Sequence, residues 1–409
     1  MADDQPEGAR RRFLRGAGLT LVGATGFAFL DATAAAEGPA EDAAGRLLSG
    51  ADWSEFCKKL NDAAALLTQA GAPRDGFNQA EGYRYLTRLL RGAIWSAIEA
   101  ADPDFPSFIS TTTEVVKIGA DNPDNIYLSA TVKGEYDYRI HGRRGTIFYL
   151  SIESKESRYG KDGTMLQTGD LDVSTLTAGP DGTVEIIASA TPKPDQHWLP
   201  MAPGTNSILI RQSFLDRQTE IPGSWRIERI GGPAKPAPLD PAFFERALMQ
   251  AANFVYGTAK TFADWTRRFV PQPNELPDWG QDWMQKAGGD PAIFYLHGYW
   301  KLAADEAWII HTKVPEAPYW NFQLDNWWME SMDYLHLNVT LNKKTARLDP
   351  DGSLTIVVAA ADPGVPNWIE TAGHTEGTAL LRWVRAQEHP LPRCTVVKLA
   401  EVKRHLTAE

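Results

Sequence analysis

Ile126-Tyr127-Leu128-Ser129-Ala130-Thr131-Val132, Tyr136-Asp137-Tyr138-Arg139-Ile140 and Thr146-Ile147-Phe148-Tyr149-Leu150-Ser151-Ile152 follow one another with only Lys133-Gly134 and Gly142-Arg143-Arg144-Gly145 as major breaks. The runs are short, rich in aromatic and β-branched residues, and alternate along the chain. That period of two marks strands, and the glycine-bearing breaks mark turns. Val184-Glu185-Ile186-Ile187-Ala188, Ser207-Ile208-Leu209-Ile210-Arg211 and Trp225-Arg226-Ile227-Glu228-Arg229-Ile230 continue the pattern. Short strands at close spacing predict a sandwich or jelly-roll pair of sheets.

On the N-terminal side the period changes to that of a helix. Trp53, Phe56, Cys57, Leu60, Ala64 and Leu67 lie at helical spacing over 52–70, with Asp52 as the expected cap. Tyr83, Leu86, Leu90, Ile94, Trp95 and Ile98 predict a second helix over 79–100, ended by Pro103 and Pro106. On the C-terminal side, 231–238 is a Gly/Pro-rich linker. Asp240-Pro241 then opens a long helix to about Phe269, because proline at the first helical position loses no hydrogen bond. Further strands are expected at 293–300, 307–312, 319–324, 354–359 and 395–399, with Asp349-Pro350-Asp351-Gly352 as a turn. Residues 368–387 are expected to include a helix, with Glu376, Ala379, Leu380 and Trp383 on related faces.

The fold class is therefore α+β and β-rich. It has two sandwich or jelly-roll-like sheet regions, an N-terminal helical pair and a long connecting helix. The implied divisions are a leader at 1–36, a helical segment at 37–110, a β-rich domain at 111–232, a connecting helix at 239–270 and a β-rich C-terminal domain at 271–409. No short-period repeat is present. The two strand-rich stretches could be distant copies, but no alignment by eye relates them.

The blocks Asp305-Glu-Ala-Trp-Ile-Ile310, Tyr319-Trp-Asn-Phe-Gln-Leu-Asp-Asn-Trp-Trp-Met-Glu-Ser-Met-Asp-Tyr334 and Asp362-Pro-Gly-Val-Pro-Asn-Trp-Ile-Glu-Thr-Ala-Gly-His-Thr-Glu-Gly377 resemble the bacterial family catalogued as domain of unknown function 1214. Residues 121–150 resemble the upstream part of such proteins, of the related domain of unknown function 1254 type. The resemblance implies a two-part β-rich protein, often exported. It supplies no catalytic assignment.

The chain has 409 residues, 43% hydrophobic and 23% charged, a globular profile. A net charge of −11 argues against a nucleic-acid partner, since phosphate binding needs concentrated positive charge. At the start, Arg10-Arg11-Arg12-Phe13-Leu14-Arg15, the apolar run Ala17–Leu30 and the small residues Ala32–Ala36 resemble a cleavable twin-arginine signal. The expected partner is thus the twin-arginine export machinery, and the expected location is periplasmic or secreted. No integral membrane segment is expected in the mature chain, and homo-oligomerisation is left open. Cys57 and Cys394 are distant; a buried free thiol is expected at Cys57.

No H-E-x-x-H, G-x-S-x-G, Walker or dinucleotide motif occurs in the mature chain. Acid–base hydrolysis or lyase chemistry on a small organic or sugar-like substrate is the enzymatic expectation, without a nucleotide cofactor. His374 and Glu376 are the catalytic candidates: two residues apart, they could share a proton or act as acid and base. Tyr319, Trp320, Asn321, Asn367 and Trp368 are the substrate-binding candidates, with polar groups to hold hydroxyls and rings to stack. The alternative is a non-catalytic envelope protein that binds carbohydrate or lipid-like ligands. Of the nine tryptophans between Trp279 and Trp383, most are expected to fill the core. No residue is assigned to a metal, although three of His297, His311, His336 and His374 could meet around one. Arg139 and Arg144 are expected as ion-pair partners within the sheet.

Overall fold

The computed structural model describes residues 42–408, apart from Ala70 and Asp172. The expected signal, 1–36, lies outside the described residues.

Three helices come first: α1 (Ala43–Ser49), α2 (Ala51–Leu66) and α3 (Gly76–Ile94), the last continuing as a π-turn over Trp95–Glu99. Gly50, not Asp52, caps α2, and Asp52 is buried in its first turn against Arg46 at 2.8 Å. α2 buries Phe56, Ala63 and Leu66. Cys57 lies outside that stripe, so its thiol is exposed rather than buried.

The first strand set is β1 (Asn125–Thr131), β2 (Tyr138–Arg143), β3 (Tyr149–Ser157), β4 (Met165–Leu171), β5 (Val184–Ser189), β6 (Trp198–Pro200), β7 (Ser207–Ser213) and β8 (Ser224–Arg229). α4 (Pro241–Phe269) follows. The Asp240 carboxylate accepts from the Ala242 and Phe243 amides, and Pro241 takes the first helical position. After α5 (Asp282–Lys286) comes the second set: β9 (Ile293–Lys301), β10 (Glu306–Thr312), β11 (Tyr319–Asp325), β12 (Thr340–Asn342), β13 (Leu354–Ala359), β14 (Trp368–Glu370), β15 (Glu376–Val384) and β16 (Arg393–Lys398). α6 (Val402–Ala408) ends the described chain.

The helix expected within 368–387 is instead β14 and β15. β15 pairs with β9 on one side and β11 on the other. Nearly every β15 side chain is buried, so the alternation that marks a half-exposed strand is missing.

The sixteen strands form four four-stranded sheets ordered β1-β7-β3-β4, β6-β5-β2-β8, β12-β11-β15-β9 and β14-β13-β10-β16. Adding eight to each strand number of the first two gives the orders of the last two. The pairing senses also match: β5–β6 and β13–β14 are the parallel pairs, and the others are antiparallel. The described chain therefore contains one eight-strand sandwich built twice. The first core joins Ile140, Ile186 and Ile227 of one sheet to Leu150, Ile152 and Ile210 of the other. The second joins Trp308, Ile356 and Val358 to Trp320, Phe322 and Trp383.

Residues 149–200 and 319–370 correspond with every position displaced by 170. Pro180-Asp181-Gly182, Ile186, Ala190 and Trp198 match Pro350-Asp351-Gly352, Ile356, Ala360 and Trp368. In both turns the Asp carboxylate accepts from the amide two residues on, Thr183 at 3.0 Å and Ser353 at 2.9 Å. Gly182 and Gly352 take φ of 79° and 84°, which only glycine adopts freely. The indoles match as well: Trp198 Nε1 donates to Ser189 O at 2.9 Å, and Trp368 Nε1 to Ala359 O at 3.0 Å.

Trp300, Trp308, Trp320, Trp327, Trp328 and Trp383 are fully buried, in line with a core role for most of the tryptophans. Trp320 packs edge-on to Trp383 with centroids 6.0 Å apart, inside the second sandwich. Trp320→Ala is expected to cost about 3–5 kcal/mol of unfolding free energy. Urea unfolding measures this; a loss below about 1 kcal/mol would show that the ring is not part of the core.

Candidate functional site

Strand alternation sends Trp320, Phe322 and Leu324 of β11 into the second sandwich and Tyr319, Asn321, Gln323 and Asp325 out of its other face. That polar face neither sees solvent nor lines an open hollow. It is buried beneath the segment leading into β1. Asn122 exchanges hydrogen bonds with the Tyr319 hydroxyl at 3.2–3.3 Å, and Asn321 Nδ2 donates to Asn122 Oδ1 at 3.1 Å. Tyr319 also donates to Asp124 Oδ2 at 2.7 Å, and Arg382 of β15 donates to Gln323 and to the Ala120 carbonyl. Tyr319 and Asn321 therefore join the two sandwiches, and Trp320 fills the core.

The contact is reciprocal. The segment leading into β9 covers the same face of the first sandwich. There Arg211 of β7 donates to Glu153 and to the Gly288 carbonyl, and Tyr149 faces Asp290 at 3.5 Å. Tyr127 and Tyr295 play matched parts, their hydroxyls accepting from the Asn122 and Asp290 amides at 3.0 and 2.8 Å. Tyr149 and Tyr319 meet with Val384 in one small apolar cluster. Each half thus presents the same surface to the other, as in a two-fold symmetric dimer.

The charges differ between the two copies. In the first, Glu153 lies between Arg211 and Lys155; burial opposes its ionisation, yet the two cations hold it below the usual carboxylate range. In the second, Gln323 and Asp325 stand where Glu153 and Lys155 stand in the first. Asp325 Oδ1 accepts from Gln323 Nε2 at 2.5 Å, and its Oδ2 has no hydrogen-bond partner. Complete burial pushes the Asp325 carboxyl up to about 8, helped by the nearby Asp121 carboxylate. Burial also lowers Lys117, although its ammonium donates to Ser331 O at 2.5 Å, Met332 O at 2.8 Å and Ser331 Oγ at 3.0 Å.

His374 and Glu376 do not form a pair. His374 is buried, and its Nε2 lies 2.7 Å from Glu81 Oε2 of α3 while Nδ1 lies 3.0 Å from Thr371 O. Phe77 packs on the imidazole with centroids 4.7 Å apart. Glu81 also accepts from Arg84 at 2.8 Å and from Asn326 at 3.1 Å. Burial raises its pKa, but the His374 bond and charge, Arg84 and Asn326 outweigh that and hold Glu81 below its ordinary value. Glu376 opens β15 and accepts instead from the Tyr299 hydroxyl. The Thr371–His374 turn and the start of β15 send the two side chains to different neighbours. Glu81 is 293 residues from His374 and carries no local sequence signal.

Asn367 and Trp368 line a surface hollow of about 230 Å³ together with Asn338, Thr340, Thr345 and Asp362. Asn367 takes φ of 55°, and its side-chain amide donates to Arg347 O at 2.7 Å and Thr355 O at 2.8 Å. Its Oδ1 accepts from the Arg347 amide at 2.8 Å. Asn367 therefore shapes the wall rather than reaching out of it. Leu341, Val365 and Ile369 complete the lining beside the half-buried Trp368. The sequence candidates thus scatter: Asn367 and Trp368 border the hollow, Tyr319 and Asn321 lie in the inter-sandwich contact, Trp320 is in the core, His374 meets Glu81 and Glu376 meets Tyr299.

The other histidines stand apart. His311 meets Thr355 at 3.0 Å and His336 meets Asp333 at 2.9 Å. His297 is buried against Phe269, Tyr295 and Trp265, and burial, with Arg382 adding to it, lowers it to about 3. Among the described residues no group of three or more His, Cys, Asp or Glu could hold a metal ion. Arg139 pairs with Glu228 at 2.7 Å and Glu185 at 3.3 Å within the sheet.

Residues 301–388 match the family described as protein of unknown function (DUF1214). A solved structure of an uncharacterised protein from Burkholderia cenocepacia is 49% identical, with a TM-score of 0.86 over 88% of this chain and 99% of that one. The chain belongs to the DUF1214 family of proteins of unknown function. A protein from Vibrio parahaemolyticus is 13% identical over 83% of this chain and 100% of that one, with a TM-score of 0.45, and carries no argument. No curated protein matches the chain.

Asp325 supplies a test of the buried contact. Its unfolded pKa is about 3.9, so from about pH 4 to about pH 8 the folded chain keeps a proton that the unfolded chain has lost. Stability therefore falls as pH rises through that window, by at most about 1.4 kcal/mol per pH unit. Asp325→Asn removes this slope. The gap between variant and wild type in urea unfolding should widen steadily across the window; parallel curves would mean that Asp325 ionises normally.

Proposed function

We propose that the protein is an exported, non-catalytic binder of small sugar-like ligands, and that Trp368 forms its stacking face. One observation carries this reading: Trp368 borders a concave surface hollow together with Asn338, Thr340, Thr345, Asp362 and Asn367, beside the apolar Leu341, Val365 and Ile369. Indole rings offer apolar contact to the flat C–H face of a sugar while the rim meets its hydroxyls. The volume, about 230 Å³, suits a single ring. Export rests on the Arg10–Arg15 motif and the apolar run behind it. No described helix is long and apolar enough to cross a membrane.

Melting curves with millimolar cellotetraose, maltotetraose and glucosamine tetramer test the reading. A ligand that binds the native state alone raises the melting temperature, by several degrees at saturation. The rise should disappear in Trp368→Ala, measured against that variant's own baseline. If the wild type responds to none of the three, or the variant responds equally, the site is not there.

A second reading, acid–base hydrolysis or lyase chemistry, is favoured by the His374–Glu81 pair. A carboxylate that orients an imidazole is a recurring catalytic arrangement. The two readings separate at His374→Ala. The binding reading expects the melting shift to persist and no release of reducing ends in either protein. Turnover by the wild type, lost in the variant, would favour the enzyme.

A further inference from the structure

We infer that the Trp368 hollow is one half of a longer site, and that the preferred ligand is a chain of at least two sugar units. This rests on the binding reading above and extends it. A second hollow, of about 340 Å³, opens beside the first and is lined by Arg347, Leu348, Asp349, Pro350 and Pro366. Pro366 borders this hollow and Asn367 borders the first. Consecutive Cα atoms lie about 3.8 Å apart, so the two spaces abut within one residue's width. The ridge between them is the tie from Asn367 to Arg347. Asn367 Nδ2 donates to Arg347 O at 2.7 Å, and the Arg347 amide donates back to Asn367 Oδ1 at 2.8 Å.

The second hollow has the parts that hold a sugar. Leu348, Pro350 and Pro366 are exposed apolar groups on which the C–H face of a ring can pack. Arg347 is exposed, and among the described residues its guanidinium has no partner, so its fork of N–H donors is available to neighbouring hydroxyls. Asp349 adds an acceptor, held in place by the Thr355 hydroxyl at 2.7 Å. The backbone beneath is pinned as well. The Asp349 amide donates to Ser353 O at 2.9 Å, the Gly352 amide donates to Asp349 O at 2.9 Å, and Asn367 Nδ2 also donates to Thr355 O at 2.8 Å. A site built in advance costs a ligand little to order. A second ring joined to one already on Trp368 then meets its hollow as an intramolecular step, which favours two linked rings over two separate ones.

Calorimetric titration of the full chain against ligand length decides the matter. The probes are glucose, cellobiose and cellotetraose, then maltose and maltotetraose, then glucosamine with its dimer and tetramer. In the series that binds, affinity should rise at least tenfold from one unit to two. Leu348→Ser and Arg347→Ala change exposed side chains, and the second keeps the main-chain bonds to Asn367. Each should shrink the two-unit to one-unit ratio, measured within the same variant, at least threefold. Trp368→Ala should abolish binding of every length. Equal affinity for one unit and two, or a length gain that survives both Leu348→Ser and Arg347→Ala, with all binding lost in Trp368→Ala, would overturn this inference and leave the binding reading standing. No binding to the wild type, or binding indifferent to Trp368→Ala, would overturn both.

Discussion

Two buried arginines, Arg211 and Arg382, fix how the sandwiches meet. Each sits on the penultimate strand of its eight-strand unit and reaches the backbone carbonyl of the segment that leads into the other unit, Gly288 and Ala120 respectively. A guanidinium taken out of water is tolerated only when its donors are filled. The halves therefore cannot slide or rotate without stranding a buried cation. This constraint explains why the outer faces of β3 and β11 are polar but hidden. An apolar contact of equal area could bind in several registers, whereas this one is satisfied in a single register.

The same constraint shows which parts of the fold could be read from sequence. The strands of the first set were legible because one face is buried and the other is not, which leaves a period of two. The long helix was legible from Asp240-Pro241, where proline takes the first helical position. β15 was not, because both faces are covered and Glu376-Gly-Thr-Ala-Leu-Leu-Arg-Trp-Val384 shows an unbroken run with no alternation. Cys57 was misplaced by one position on a helix wheel, enough to move it from the packed stripe to solvent. The duplication was hidden because substitutions kept volume and turn geometry rather than identity. Thr183 and Ser353, or Val184 and Leu354, do the same work with different letters.

The candidate site was less legible for a plainer reason. Local spacing placed His374 beside Glu376, but a tight turn followed by a strand sends consecutive polar residues to different partners. The partner His374 finds is on α3, and nothing near residue 81 announces it. Trp368 and Asn367 both border the hollow, yet only the structure shows that the Asn367 amide is spent on holding its wall. Tyr319 and Asn321 had the pattern of a pocket lining because a polar strand face looks the same whether a ligand or another piece of the chain covers it.

Duplication followed by divergence makes these assignments intelligible together. A unit whose outer face must pair with a copy of itself has little freedom on that face. There the copies keep Tyr149 and Tyr319, Arg211 and Arg382, and change charge only as compensated sets. The parallel crossover that carries Trp198 and Trp368 lies on the other sheet of each sandwich, away from the contact. Its frame is fixed by an indole donating to the neighbouring strand and by one turn with a left-handed glycine. The loop positions just ahead of it, Pro192, Pro194 and Asp195 in one copy and Asp362, Gly364 and Pro366 in the other, are exposed, so they can vary without disturbing either core. The interface is where the two copies must agree, and the crossover is where they are free to differ.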